Sequence, residues 1–179
     1  MSSRAFEPGP LADVACRADG DRWTLVFVRD LAHPPENVWA ALTDPERLRA
    51  WSPYTADRNL GSVGDVVLTM IDGDVTEDLP ASVTRAERPR LLEYTWGTDV
   101  VCWELVATDS GTRLTLRHTL GERGSAPKAA AGWHLCLVVA EQMLDGTPLD
   151  PIRGMDAMNY GWQDLHDAYA EKLDIPDLS

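Results

Sequence analysis

The stretch RLLEYTWGTDVVCWELVATDSGTRLTLRHTLG, residues 90–121, decides the fold. It holds two candidate tight turns, Gly97-Thr98 and Ser110-Gly111, each suited to a two-residue hairpin loop. Around Gly97-Thr98, Leu92 falls opposite Trp103 and Tyr94 opposite Val101, with Trp96 on the same face. Around Ser110-Gly111, Trp103 falls opposite His118, Leu105 opposite Leu116 and Ala107 opposite Leu114. Glu104 then falls opposite Arg117 on the other face, as an exposed cross-strand ion pair. Two independent turns thus return one inward set: Leu92, Tyr94, Trp96, Val101, Trp103, Leu105, Leu114, Leu116, His118 and Leu120. A one-residue slip between the strands would scramble that set. The stretch predicts a curved antiparallel sheet with one apolar, aromatic, concave face.

The flanking segments extend this pattern. Residues 1–20 are rich in Pro, Gly and Asp without periodicity and read as a flexible N-terminal arm. RWTLVFVRDL (22–31) reads as a strand, rich in β-branched and aromatic residues. PPENVWAALT (34–43) reads as a short helix opened by proline. Asp44 caps a second one, PERLRAW (45–51), with Leu48 and Trp51 on one face. GSVGDVVLTMIDG (61–73) and EDLPASVTRAERP (77–89) each hold a strand, Pro80 marking an edge or bulge and Gly73 a turn. A long helix then starts near Pro127 and ends at Gly146. Trp133, Cys136, Leu137, Ala140, Met143 and Leu144 form one stripe on it. His134 lies beside Val138 and Glu141, and Leu135 and Val139 face a third way. After the linker TPLDPIRG, the residues Met155, Met158, Trp162, Leu165, Tyr169 and Leu173 form a second stripe able to cover the Leu135 and Val139 side. The expected fold is α+β and helix-grip: a curved antiparallel sheet wrapped round a long C-terminal helix, with two short helices after the first strand and a cavity between sheet and helix. Residues 21–146 form that domain, and 147–179 a linker and extra helix packed on it.

Composition narrows the partners. With 29 acidic residues against 16 basic, the net charge of −13 repels phosphate backbones and anionic lipid, so neither nucleic acid nor membrane is expected. No apolar run is long enough to span a bilayer, and MSSRAFEPGP carries no apolar signal core. Three cysteines, Cys16, Cys102 and Cys136, form no CxxC pair and fit reduced thiols in a cytoplasm. A monomer or homodimer is expected. Seven Trp is a high count for 179 residues, and indoles in number line cavities or fix cores.

Four ordered motifs, HPPENVWAALTDPERLRAW, PRLLEYTW, GTRLTLRHTL and GWHLCLVVAEQMLDG, resemble the successive signatures of the START-like (SRPBCC) superfamily, whose fold is of the START/Bet v type. The branch they resemble is that of the bacterial proteins named after the activator of the heat-shock protein 90 ATPase, and GWQDLHDAYAEKL is similar to its tail. The resemblance spans about residues 22 to 175. It implies a cavity-forming domain. The superfamily includes ligand carriers, aromatase/cyclases, hydrolases, resistance proteins and chaperone co-factors, so it implies no single activity.

The expected cavity lining is Trp39, Trp51, Met70, Tyr94, Trp96, Trp103, His118, Trp133, Leu137 and Met143. An apolar, aromatic wall with few polar groups suits a small hydrophobic or aromatic ligand. His118 and Tyr94 are the candidates for chemistry in a polyketide-type cyclase, dehydratase or hydrolase, since an inward imidazole can move a proton on a phenol or enol. Against that, no carboxylate is expected on the face of His118 to orient its ring, which favours a packing role. A third possibility is a chaperone or partner-binding module without a small ligand. His134 and Cys136, two apart on a helix, diverge and cannot share a metal or act as a nucleophilic pair, so His134 reads as a rim or packing residue and Cys136 as a small buried one. No HExxH or paired Cys appears, and neither metal nor cofactor is expected.

Overall fold

Strands β6 (Leu91–Trp96) and β7 (Asp99–Thr108) form the first hairpin of the deciding stretch, with Gly97 at φ 62° in its turn. Leu92 pairs with Trp103 and Tyr94 with Val101, as the turn predicts. The second hairpin, from β7 to β8 (Gly111–Leu120), turns one residue earlier than expected, at Asp109-Ser110. Trp103 therefore faces Leu116, Leu105 faces Leu114 and Val101 faces His118. Moving the loop by one residue moves every partner by two, so the inward set survives intact. Gly111 is needed for a different reason from a turn. At φ 152° it opens β8 against the end of the neighbouring strand, and a Cβ there would lie 2.1 Å from the Leu31 carbonyl oxygen. Glu104 faces Thr115 yet still meets Arg117 on the diagonal, at 2.5 Å.

The computed structural model describes residues 9–72, 75–147, 152 and 160–175. In chain order these form β1 (Asp13–Asp19), β2 (Arg22–Leu31), α1 (Pro35–Thr43), α2 (Pro45–Trp51), β3 (Tyr54–Ala56), β4 (Gly64–Asp72) and β5 (Val75–Glu87), then β6, β7 and β8, and finally α3 (Ala126–Leu144) and α4 (Trp162–Leu173). Among the described residues there is one antiparallel sheet of eight strands, ordered β1-β2-β8-β7-β6-β5-β4-β3. The Gly73 turn and the residues Met155 and Met158 of the second stripe lie outside the described residues. No described helix is long and apolar enough to cross a membrane.

The expected arm is corrected over residues 13–19. They form β1, which pairs with β2 through a Gly20-Asp21 turn, Gly20 at φ 61°. The strand places Val14 opposite Phe27 and Cys16 opposite Leu25. Its own apolar side chains are few and small, so composition hid a period-two pattern that the partner strand completes.

The helices follow their caps. Asp44 Oδ1 accepts the Glu46 N–H at 3.0 Å at the start of α2, and the Trp51 indole donates to the Ala41 carbonyl at 2.9 Å, tying α2 to α1. Pro80 pairs opposite Val67 of β4, beyond Val83 where the ladder with β6 ends. Its missing N–H thus falls on a locally free edge. Helix α3 closes with Gly146 N–H on the Met143 carbonyl and Thr147 N–H on the Gln142 carbonyl, Gly146 at φ 85°, a Schellman motif. Residues 133–140 of α3 are buried on every side, because the sheet, α2 and α4 all pack on it.

Candidate functional site

The centre of the grip is solid. Trp103 of β7 meets Trp51 of α2 edge-on, centroids 6.1 Å apart, and Trp133 of α3 edge-on at 5.3 Å. Its indole N–H donates to the Tyr94 hydroxyl at 3.1 Å, and the Tyr94 and Tyr54 hydroxyls are hydrogen-bonded to each other. Burial pushes Tyr94 up to about 12, against the hydrogen bonds from Tyr54 and Trp103 that oppose the shift. Burial, and then the neighbouring Tyr94, push Tyr54 well above the ordinary phenol range. Both phenols are sealed and neutral.

The packing opens towards the first half of α3, around a cavity of about 240 Å³. Its sheet wall is Trp96 and His118, and its helix wall is Lys128, Gly132, Trp133 and Cys136. Pro53, Ile152 and Trp162, with Ala129 and Leu135, complete it. Lys128, Gly132 and Cys136 recur every four residues and so share one helix face. Gly132 leaves room: a Cβ added there meets nothing within 4 Å. Trp96 is held by its indole N–H on the Met70 sulfur at 3.1 Å, and its ring lies 5.5 Å from that of His118.

His118 is oriented from both sides. Its Nδ1 accepts the Trp133 indole N–H at 3.0 Å, and its Nε2 lies 2.8 Å from Asp99 Oδ2. An indole N–H can only donate, so Nδ1 carries no proton in this arrangement. Nε2 therefore bears the ring hydrogen and donates it to Asp99. Arg22 reaches the other Asp99 oxygen at 3.3 Å. The expectation that no carboxylate accompanies His118 is thus corrected. Asp99 shares the parity of Val101 and Trp103 and so lies on the inward face, and its place beside the turn concealed it.

Of the ten expected lining residues, Trp96, His118 and Trp133 stand on the cavity wall. Trp51, Tyr94, Trp103 and Leu137 are packed core, each at most 1 % exposed. Met70 braces Trp96 from behind, and Met143 is half-buried in the last turns of α3. Trp39 lines a separate surface depression beside Glu36, Asn59 and Arg88. His134 sits in the interior, not at a rim, with Nδ1 2.6 Å from the Tyr169 hydroxyl. Cys136 is buried as expected, yet lines the cavity. Lys128, Gly132 and Trp162 were absent from the expected lining. The four-residue spacing could have found the first two, whereas the arrival of Trp162 depends on how α4 docks. A larger depression, about 600 Å³, lies on the outer sheet face, where Arg85 is paired with Glu93, Arg117 with Glu104 and Arg90 with Glu87. Among the described residues no three His, Cys, Asp or Glu side chains gather closely enough to hold a metal ion.

Residues 32–145, well over half of the chain, match the family model described as Activator of Hsp90 ATPase homolog 1-like protein. No curated protein sequence matches. Among solved structures, the chain is similar to the conserved protein of unknown function EF2215 from Enterococcus faecalis, with TM-score 0.69 and 20% identity over 91% of this chain and 92% of that one. CalU16 from Micromonospora echinospora superposes with TM-score 0.64 and 20% identity over 94% and 98% of the two chains. Protein MLL2253 from Mesorhizobium loti gives TM-score 0.61 and 29% identity over 70% of this chain and 99% of that one.

Proposed function

Since the chain belongs to the Activator of Hsp90 ATPase homolog 1-like family, a set united by its fold, we propose a function from the cavity itself: it binds a small hydrophobic or aromatic molecule between sheet and α3 without transforming it. The observation that carries this reading is the double commitment of His118. Its two nitrogens are occupied by Asp99 and Trp133, so the ring offers a ligand its face and no lone pair. Tyr94, the other candidate for proton transfer, is sealed behind Trp103 and Tyr54. What remains on the wall is mostly indole and aliphatic surface, which holds a ligand by burial and ring contact. The free thiols of Cys16, Cys102 and Cys136 support a reducing, cytoplasmic setting. A partner-binding module has less support, because Val63 and Val106 are the only large apolar side chains exposed among the described residues.

One observation favours an enzyme: Asp99 holds the His118 imidazole as a carboxylate holds a general base, and the ring would act as one on parting its Nδ1 from the Trp133 indole. Screening aromatic and polyketide-like compounds by tryptophan quenching, followed by mass spectrometry of the bound compound, separates the two. For a binder, the compound returns unchanged and His118→Gln alters Kd by about tenfold or less. Conversion of the compound, with turnover lowered about a hundredfold by His118→Gln while binding survives, would establish the enzyme instead.

A further inference from the structure

We propose that the occupant of this cavity is an aromatic carboxylate of one or two fused rings, its rings among Trp96, Trp133 and Trp162 and its acid group on Lys128. The proposal rests on the binding reading above and adds the ligand's charge and size. Among the described residues lining the cavity, Lys128 is the one charged side chain, and none of them is a carboxylate. Arginines elsewhere in this acidic chain have found acids: Arg22 has Asp99, Arg29 has Glu141, Arg113 has Asp30 and Arg117 has Glu104. The Lys128 ammonium has no carboxylate within ion-pair distance among the described residues.

Its position is also poor for helix stability. Lys128 stands in the first turn of α3, where the helix dipole disfavours a cation, and no acid in that turn offsets it. Exposed at the cavity mouth, it can meet an anion without being dragged into the core. A cationic guest would meet four aromatic rings, Trp96, His118, Trp133 and Trp162, but would have to lie beside this ammonium with no acid among the described residues of the wall. Size sets the other limit. A volume of about 240 Å³ lies below the usual range of drug-sized pockets, which suits one or two rings.

The test uses three isosteric probes, 2-naphthoate, 2-naphthalenemethanol and 2-naphthylmethylammonium, titrated calorimetrically into the full-length protein and two variants. Lys128→Met keeps the apolar stem and removes the charge. Gly132→Leu fills the cavity from α3. Naphthoate is expected to bind about fivefold tighter than the alcohol, the range of one solvent-exposed ion pair, with the ammonium weakest. Lys128→Met should bring naphthoate to the level of the alcohol and leave the alcohol unchanged, and Gly132→Leu should abolish all three. If the alcohol or the ammonium binds as tightly as naphthoate, or Lys128→Met leaves naphthoate unchanged, the acid proposal fails while the cavity reading stands on Gly132→Leu. If the protein binds none of the three, or Gly132→Leu leaves binding intact, both fail.

Discussion

At the scale of single residues, the phenols of Tyr54 and Tyr94 tie stability to alkaline pH. An unfolded tyrosine ionises near 10, whereas in the fold Tyr94 is raised to about 12 and Tyr54 well above its ordinary value. Between those values the native state holds more protons than the unfolded one, so stability falls as pH rises. Below about pH 10 neither phenol contributes a slope, because both states are protonated. Tyr94 should contribute a loss of up to about 1.4 kcal/mol per pH unit between about 10 and 12, and Tyr54 a loss of the same sign from about pH 10 upwards. Urea midpoints from pH 8 to 11.5, for the wild type and Tyr94→Phe, isolate one phenol from the other groups that titrate there. Tyr94→Phe should fall less steeply above pH 10 and run parallel below it, and parallel curves throughout would refute the buried-phenol account. The same residue shows where sequence reasoning stopped. Parity put Tyr94 on the inward face but carried no sign of Tyr54, whose hydroxyl converts a candidate catalyst into a closed hydrogen-bonded pair.

At the scale of elements, the hairpins were legible because alternation is robust to small errors in loop placement. Misplacing the second turn by one residue changed every partner from β7 to β8 and no residue's face. This separates two neighbours on β7 sharply. Glu104 and Arg117 form an exposed pair, worth at most about 1 kcal/mol. Trp103, 1 % exposed among Trp51, Tyr94 and Trp133, should cost about 3–5 kcal/mol on replacement by Ala. Urea titration of Glu104→Ala and Trp103→Ala checks the contrast, and a larger loss for Glu104→Ala would contradict the register. Strand β1 was not legible, since its pairing surface is small side chains on an acidic segment and its partner lies across a turn. Asp99 was missed differently. It obeys the alternation, but a polar residue at a turn reads as solvated until Arg22 and His118 converge on it.

At the scale of the whole molecule, periodicity tells which side chains point inward and is silent on whether they fill the space. Here Trp51, Tyr54, Tyr94 and Trp103 fill the middle, and the open volume moves to where Gly132 contributes no side chain and α4 brings Trp162. That helix also joins the two ends of the described chain. The Tyr169 hydroxyl accepts the Ala12 N–H at 2.9 Å, leaving its own proton for His134 Nδ1 at 2.6 Å, and Lys172 donates to the Ala12 carbonyl at 2.9 Å. One phenol thus links the entry to β1, the middle of α3 and the face of α4. Tyr169→Phe keeps the ring beside Phe27 and deletes both bonds, so that a buried amide and a buried imidazole each lose this hydroxyl. Losing such partners costs roughly 1–3 kcal/mol, and about 2 kcal/mol is expected here. The location of the damage is the sharper check. Amide hydrogen exchange should quicken over residues 13–19 beyond what the global loss explains, because β1 pairs with β2 alone and one of the two bonds that α4 makes to Ala12 has been cut. The β6 to β8 ladders should follow the global change only. Equal acceleration across all strands, or none in β1, would show that α4 covers α3 without holding the N-terminal strand in place.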